Sequence, residues 1–149
     1  MRRGAFLSVE PAEGIELEGL IAAVPGEDWE ALDVRERGYA RHHVGFETLN
    51  TVQSDVSSVQ VYAVPDEASW IASPENPILL SYLDVVIQGY LKEFGEDGVA
   101  RFFETTFGWD AQVLDDRDSP QYQRAQVLTQ AETALVDAWI DQLSTVVQS

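Results

Sequence analysis

Leu32-Asp33-Val34-Arg35-Glu36-Arg37-Gly38-Tyr39-Ala40-Arg41 reads as the end of a short helix running into a strand. Glu36 stands at that boundary, two positions before a glycine and ahead of a tyrosine and an arginine. A carboxylate at an element boundary, followed by a residue that frees the backbone, can be aimed into a cleft, where a general base belongs. The other reading is a solvated helix-end acid, paired weakly with Arg35 or Arg37.

The helix before the junction spans Glu27 to Arg35. Its first-turn acids suit the helix dipole, and Trp29 and Leu32, three apart, share its buried face. Ahead of it, Ala5 to Val9 is a short apolar run between Gly4 and Pro11. Ile15 to Val24 alternates and then becomes continuously apolar, as in a strand passing from half-exposed to buried, and Pro25-Gly26 ends it. After the junction, Arg41 to Leu49 reads as a strand with His42, Val44 and Phe46 on one face. Asn50 to Ser58 is a polar turn, and Val59 to Val64 a further alternating strand closed by Pro65.

Beyond Pro65 the apolar period changes from 2 to about 3.6. Leu79, Leu80, Leu83, Val86, Ile87, Tyr90, Leu91 and Phe94 trace an amphipathic helix that Gly95 stops. Val99, Phe102 and Phe103 mark a shorter helix, and Gly108 to Pro120 a loop. Thr129 and Glu132 have capping-box spacing at the start of a last helix carrying Leu135, Val136, Trp139, Ile140, Leu143 and Val146. Strands first and helices later predict an α+β fold in one domain, 1–149. A small barrel-like mixed sheet is expected over about 4–64, with flanking helices and a helical part over about 78–149.

The chain carries 9 Lys+Arg against 26 Asp+Glu, a formal net charge of −17. Such a surface repels phosphate backbones, so no nucleic-acid partner is expected, and most acids belong to a solvated face. No run approaches the roughly 18 apolar residues of a membrane span. Glu10 and Glu13 arrive too soon for a signal peptide, so a cytoplasmic location is the default expectation. The absence of cysteine excludes disulfides, thiolate metal sites and a Cys nucleophile. His42 and His43, the only histidines, point to opposite faces of a strand, and no metal or other cofactor is expected. Neither a Gly-rich phosphate loop nor a Gly-x-Ser-x-Gly elbow occurs. The segment Asp115 to Arg124 has two readings: a cover that holds an anionic substrate with Arg117 or Arg124, or a charged loop tied by local ion pairs.

Three pieces, in order, carry a resemblance. Leu32-Asp33-x-x-Glu36-x-x-Tyr39-x-Arg41-x-x-Val44, then Val59 to Val64 with Tyr62, then Pro77-Ile78-Leu79-Leu80-Ser81-Tyr82-Leu83 through Ile87 and Gly89, together resemble the γ-glutamylcyclotransferase-like family over about residues 5–94. The resemblance implies a small barrel with flanking helices. It also implies a reaction in which Glu36, as general acid/base, helps release 5-oxoproline from a γ-glutamyl amine or amino acid. Tyr39 and Tyr82 would line the pocket, with Arg41 beside them or paired to a barrel carboxylate, around a small γ-glutamyl substrate and without a cofactor. The family's Tyr-Gly-Ser loop, whose amides hold the γ-glutamyl group, has no counterpart in this sequence. Its lack suggests a truncated chain or a descendant that has lost the loop. A member without it would be a catalytically inactive ligand-binding or interaction protein. A barrel short of its first strand has an open edge, so a homodimer by strand addition is a further expectation.

Overall fold

The computed structural model describes residues 4–50, 55–65 and 75–147. The fold is mixed α+β, and its contacts gather in two compact units. A hairpin unit comprises Leu7–Glu13 and Gly19–Ser69; a helical unit comprises Met1–Phe6, Gly14–Glu18 and Trp70–Ser149.

In the hairpin unit a 3-10 turn, Pro25–Glu27, leads into helix α1, Trp29–Arg35. Asp28 caps α1 by accepting from the Ala31 N–H at 3.0 Å, because the first amides of a helix lack intrahelical partners. Strand β1, Ala40–Val44, pairs antiparallel with β2, Val59–Ala63, in a register that sets Arg41 opposite Tyr62. The strand expected to reach Leu49 stops at Val44. After Gly45 the chain closes into a 3-10 turn, Phe46–Thr48, with the Thr48 hydroxyl donating to the Gly45 carbonyl at 2.7 Å. Phe46 therefore leaves the strand face it was expected to share with His42 and Val44. Residues 51–54 of the expected polar turn lie outside the described residues.

One expected strand is absent, and the apolar run before it scarcely pairs. Of Ala5 to Val9, only Ala5 forms a bridge. Ile15 to Val24 has no regular structure, and Leu17 and Leu20 stay exposed. Alternation prepares a segment for a sheet, but a strand also needs a neighbour for its N–H and C=O groups. At Ser8 the contact to β2 runs through a side chain, the Val64 N–H donating to its hydroxyl at 2.8 Å. Among the described residues the strands make two two-stranded sheets, and neither closes into the expected barrel.

In the helical unit β3, Ile78–Leu79, pairs in parallel with β4, Val113–Leu114, and Ala5 bridges to Ile78. Leu79 belongs to this strand, and helix α2 runs from Leu80 to Thr105. Gly95 breaks α2 at the place the sequence pattern predicts. Its φ of 69° and ψ of −170° lie in a region open essentially to glycine alone. Gly95→Ala should therefore cost about 1–3 kcal/mol, read as a lower urea midpoint at unchanged slope.

The core follows the 3.6-residue period. Leu80, Leu83 and Ile87 are buried on the first half of α2, and Val99, Phe102 and Phe103 on the second. Helix α3, Gln130–Val147, buries Val136 and stacks Trp139 on Phe103 with centroids 4.8 Å apart. Its start is the expected capping box: Thr129 N–H donates to Glu132 Oε2 at 2.6 Å and Glu132 N–H to Thr129 Oγ1 at 3.2 Å.

The segment Asp115 to Arg124 is tied by local bonds, such as the Arg117 N–H to Asp115 at 3.1 Å, and also by long-range bonds to α2. Asp116 is buried and caps α2 from outside, its carboxylate accepting from the Ser81 N–H at 2.8 Å, the Ser81 hydroxyl at 2.7 Å and the Gln121 N–H at 2.8 Å. Burial alone would raise this carboxyl, but the hydrogen bonds from Gln121 and Ser81 outweigh it and hold it below the usual carboxylate range. The stability Asp116 contributes is thus present above about pH 4, its unfolded value, and is lost as pH falls through the lower folded value. Thermal melts of Asp116→Asn should lie below those of the parent at pH 7, and the gap should close toward pH 2.

Candidate functional site

Glu36 is the C-cap of α1. Its N–H donates to the Leu32 carbonyl at 2.9 Å, and its own carbonyl accepts from the Gly38 N–H at 2.7 Å and the Tyr39 N–H at 2.8 Å. That turn reverses the chain from α1 into β1. The Glu36 carboxylate is half-buried and accepts from Arg35 Nε at 2.8 Å, while the Arg35 side chain is 69% exposed. Of the two expected cationic neighbours, Arg35 is the one bound.

Tyr39 is half-buried, and its hydroxyl donates to the Leu7 carbonyl at 3.4 Å. Burial, and then the charge of Glu36, push this phenol above its ordinary value, so it stays a neutral donor at physiological pH. The Tyr62 phenol is pushed up by burial, by its hydrogen bond to Asp33 and by the Asp33 charge, with a smaller contribution from Glu36. Two tyrosine hydroxyls therefore lie within the field of the Glu36 carboxylate.

Arg41 is held on one side by Asp33, with Nη2 donating to Oδ2 at 3.0 Å and Nε in ion-pair contact with Oδ1 at 2.9 Å. On the other side its guanidinium lies 5.0 Å from the Trp29 ring centroid. Asp33 also accepts from the Tyr62 hydroxyl, and these bonds, led by that of Tyr62 and joined by those of Arg41, hold its carboxyl below the usual range. Arg41 thus pairs with a carboxylate of helix α1, where a barrel carboxylate was expected.

The fourth expected residue, Tyr82, belongs to the helical unit. Its ring packs edge-on against Phe6 at 5.0 Å and Tyr122 at 5.1 Å. A scan of family models and searches of curated proteins and solved structures find no match to this chain. The chemistry therefore rests on the side chains themselves.

Trp29, Asp33 and Glu36 fall at i, i+4 and i+7, one stripe of α1, and Arg41 and Tyr62 face each other across β1 and β2. Asp33 and Tyr62 were not expected to bear on the site. The helical spacing of Asp33 from Glu36 was the available signal, and without the strand register nothing linked Tyr62 to it. His42 and His43 are both exposed, and among the described residues no group of three His, Asp or Glu could hold a metal ion. No helix among them is long and apolar enough to cross a membrane. A cavity of about 290 Å³ lies in the helical unit, lined by Trp109, Ala111, Gln112, Val113, Ile140 and Leu143. None of the expected site residues lines it, and its lining side chains include no acid or base.

Proposed function

We propose that this chain is a γ-glutamylcyclotransferase-like protein that releases 5-oxoproline from a γ-glutamyl amine or amino acid, with Glu36 as general acid/base. The observation that carries this reading is the half-buried carboxylate of Glu36 at the α1–β1 turn, a residue whose backbone carbonyl holds the Tyr39 amide. Glu36 takes a proton from the substrate's α-ammonium group. The freed amine attacks the γ-carbonyl carbon and closes a five-membered lactam. Glu36 then returns the proton to the departing nitrogen as the original amide bond breaks, and the ring nitrogen gives its second proton to the released amine, which leaves as an ammonium. Tyr39, kept neutral, can donate to a substrate oxygen once its 3.4 Å bond to the Leu7 carbonyl is exchanged.

The Arg35 partnership is compatible with this role. An ion pair with one member 69% exposed is worth only about 0–1 kcal/mol, so an arriving ammonium can displace Arg35 at little cost. The surplus of acids favours cationic over anionic donors on approach.

A second reading is a non-catalytic member that keeps the hairpin and binds a ligand or a partner chain. It is favoured by the open two-stranded sheets that stand in place of a barrel among the described residues. A second copy pairing along a ribbon edge, as an expected homodimer, fits this reading best. Incubation with γ-glutamyl amino acids and γ-glutamyl amines, followed by chromatography for 5-oxoproline, separates the two. Turnover supports the enzyme, and a flat baseline with every donor discards it.

A further inference from the structure

The hairpin unit has little apolar packing to fix α1 on the strands. Ala63 is its one buried apolar residue among those described, while Leu20, Val34 and Phe46 stand exposed. What joins helix to hairpin is polar. The Asp33 carboxylate of α1 takes hydrogen bonds from Arg41 on β1 and Tyr62 on β2, a directly opposed cross-strand pair. Trp29, one turn earlier on α1, covers the other side of the same guanidinium. Glu36 lies one turn later on that stripe, where its backbone carbonyl holds the turn amides of Gly38 and Tyr39.

We infer that Asp33 and Tyr62 are positioning residues for Glu36: with Arg41 they clamp the last turn of α1 to the hairpin and thereby aim the Glu36 carboxylate. The inference rests on the reading of Glu36 as the acid/base. It gives Arg41 a positioning role in place of a substrate contact. Both strands must grip the same carboxylate, because a bond to one alone would leave α1 free to rock about it. Carboxylate bonds to a guanidinium and to a phenol are directional and charge-assisted, so they set an angle that sparse apolar contact cannot.

The test uses the full chain with Asp33→Asn and Tyr62→Phe. Asparagine keeps an acceptor for Tyr62 but loses the charge that Arg41 grips. Phenylalanine keeps the ring and removes only the hydroxyl, so it serves if Asp33→Asn fails to fold by circular dichroism. The amide resonances of Gly38 and Tyr39 should shift in either variant. The kcat for 5-oxoproline release should fall on the order of tenfold to a hundredfold, as for a misaimed catalytic group, with KM nearly unchanged. Amides that stay in place, a kcat that holds, or a loss confined to KM overturns the inference. A wild-type chain without turnover discards the activity instead, and the amide shifts then decide the clamp by themselves.

Discussion

Glu36→Gln is expected to lower 5-oxoproline release by about 10²–10⁴-fold, the range for losing a general acid/base, while the melting temperature stays within a few degrees of the parent. Glutamine has nearly the same shape and can still accept from Arg35 through its carbonyl oxygen, so the α1–β1 turn should survive. What it cannot do is take a proton from an ammonium group and return it. The fold contribution at stake is small, because the bond that changes is an ion pair whose cation is mostly in water. The two roles of Glu36 therefore separate cleanly. A purely structural acid would show its loss in stability and leave turnover untouched. A base would show the reverse. Arg35→Ala is the companion measurement: it removes the carboxylate's partner and should leave kcat within a few-fold, since the mechanism requires Arg35 to let go. A Glu36→Gln protein that keeps full turnover would place the chemistry elsewhere.

How far the sequence reached follows from which constraints are local. The helix around Val86, the break at Gly95, the Thr129–Glu132 capping box and the two alternating strands of the hairpin were legible, because each depends on neighbours in sequence. The segment Ile15 to Val24 has a strand's alternation and forms none, because a ladder needs a partner that no pattern within the segment can specify. The short sheet of Ile78–Leu79 with Val113–Leu114 was invisible for the opposite reason: two residues show no period. At the candidate site Glu36 was legible from its place at a helix–strand junction. Its support from Asp33 was not, since the value of that acid depends on Arg41 and Tyr62 facing one another. The same holds for Asp116, which looked like one acid of a charged loop and instead caps the first turn of a helix at Ser81, 35 positions earlier.

The largest effect on stability should come from Arg117. Its Nη2 and Nε donate to the two oxygens of Asp84 at 2.7 and 2.8 Å, and its Nη1 to Asp137 at 2.6 Å. The first bond is to Asp84, whose side chain is 6% exposed; the second is to Asp137, whose side chain is 52% exposed. These paired acids, Asp84 first, raise the guanidinium above its ordinary value, so it is charged at every accessible pH. Removing it strands a carboxylate among Leu80, Leu83 and Ile87 with no cation to offset its desolvation. Arg117→Met should therefore cost about 3–5 kcal/mol, the penalty for breaking a buried pair on one side only. For a chain of this size that corresponds to a fall in melting temperature of roughly 10 °C. Asp137→Asn should cost no more than about 1 kcal/mol, because its partner bond is solvated. The double variant Asp84→Leu with Arg117→Met decides between a pair that stabilises and a pair that is merely costly to break. Recovery of most of the lost stability would show that the charges offset one another without net gain, as buried pairs commonly do. A double variant as unstable as Arg117→Met alone would show instead that the bidentate bond holds the Arg117 loop to α2 better than packed apolar side chains can.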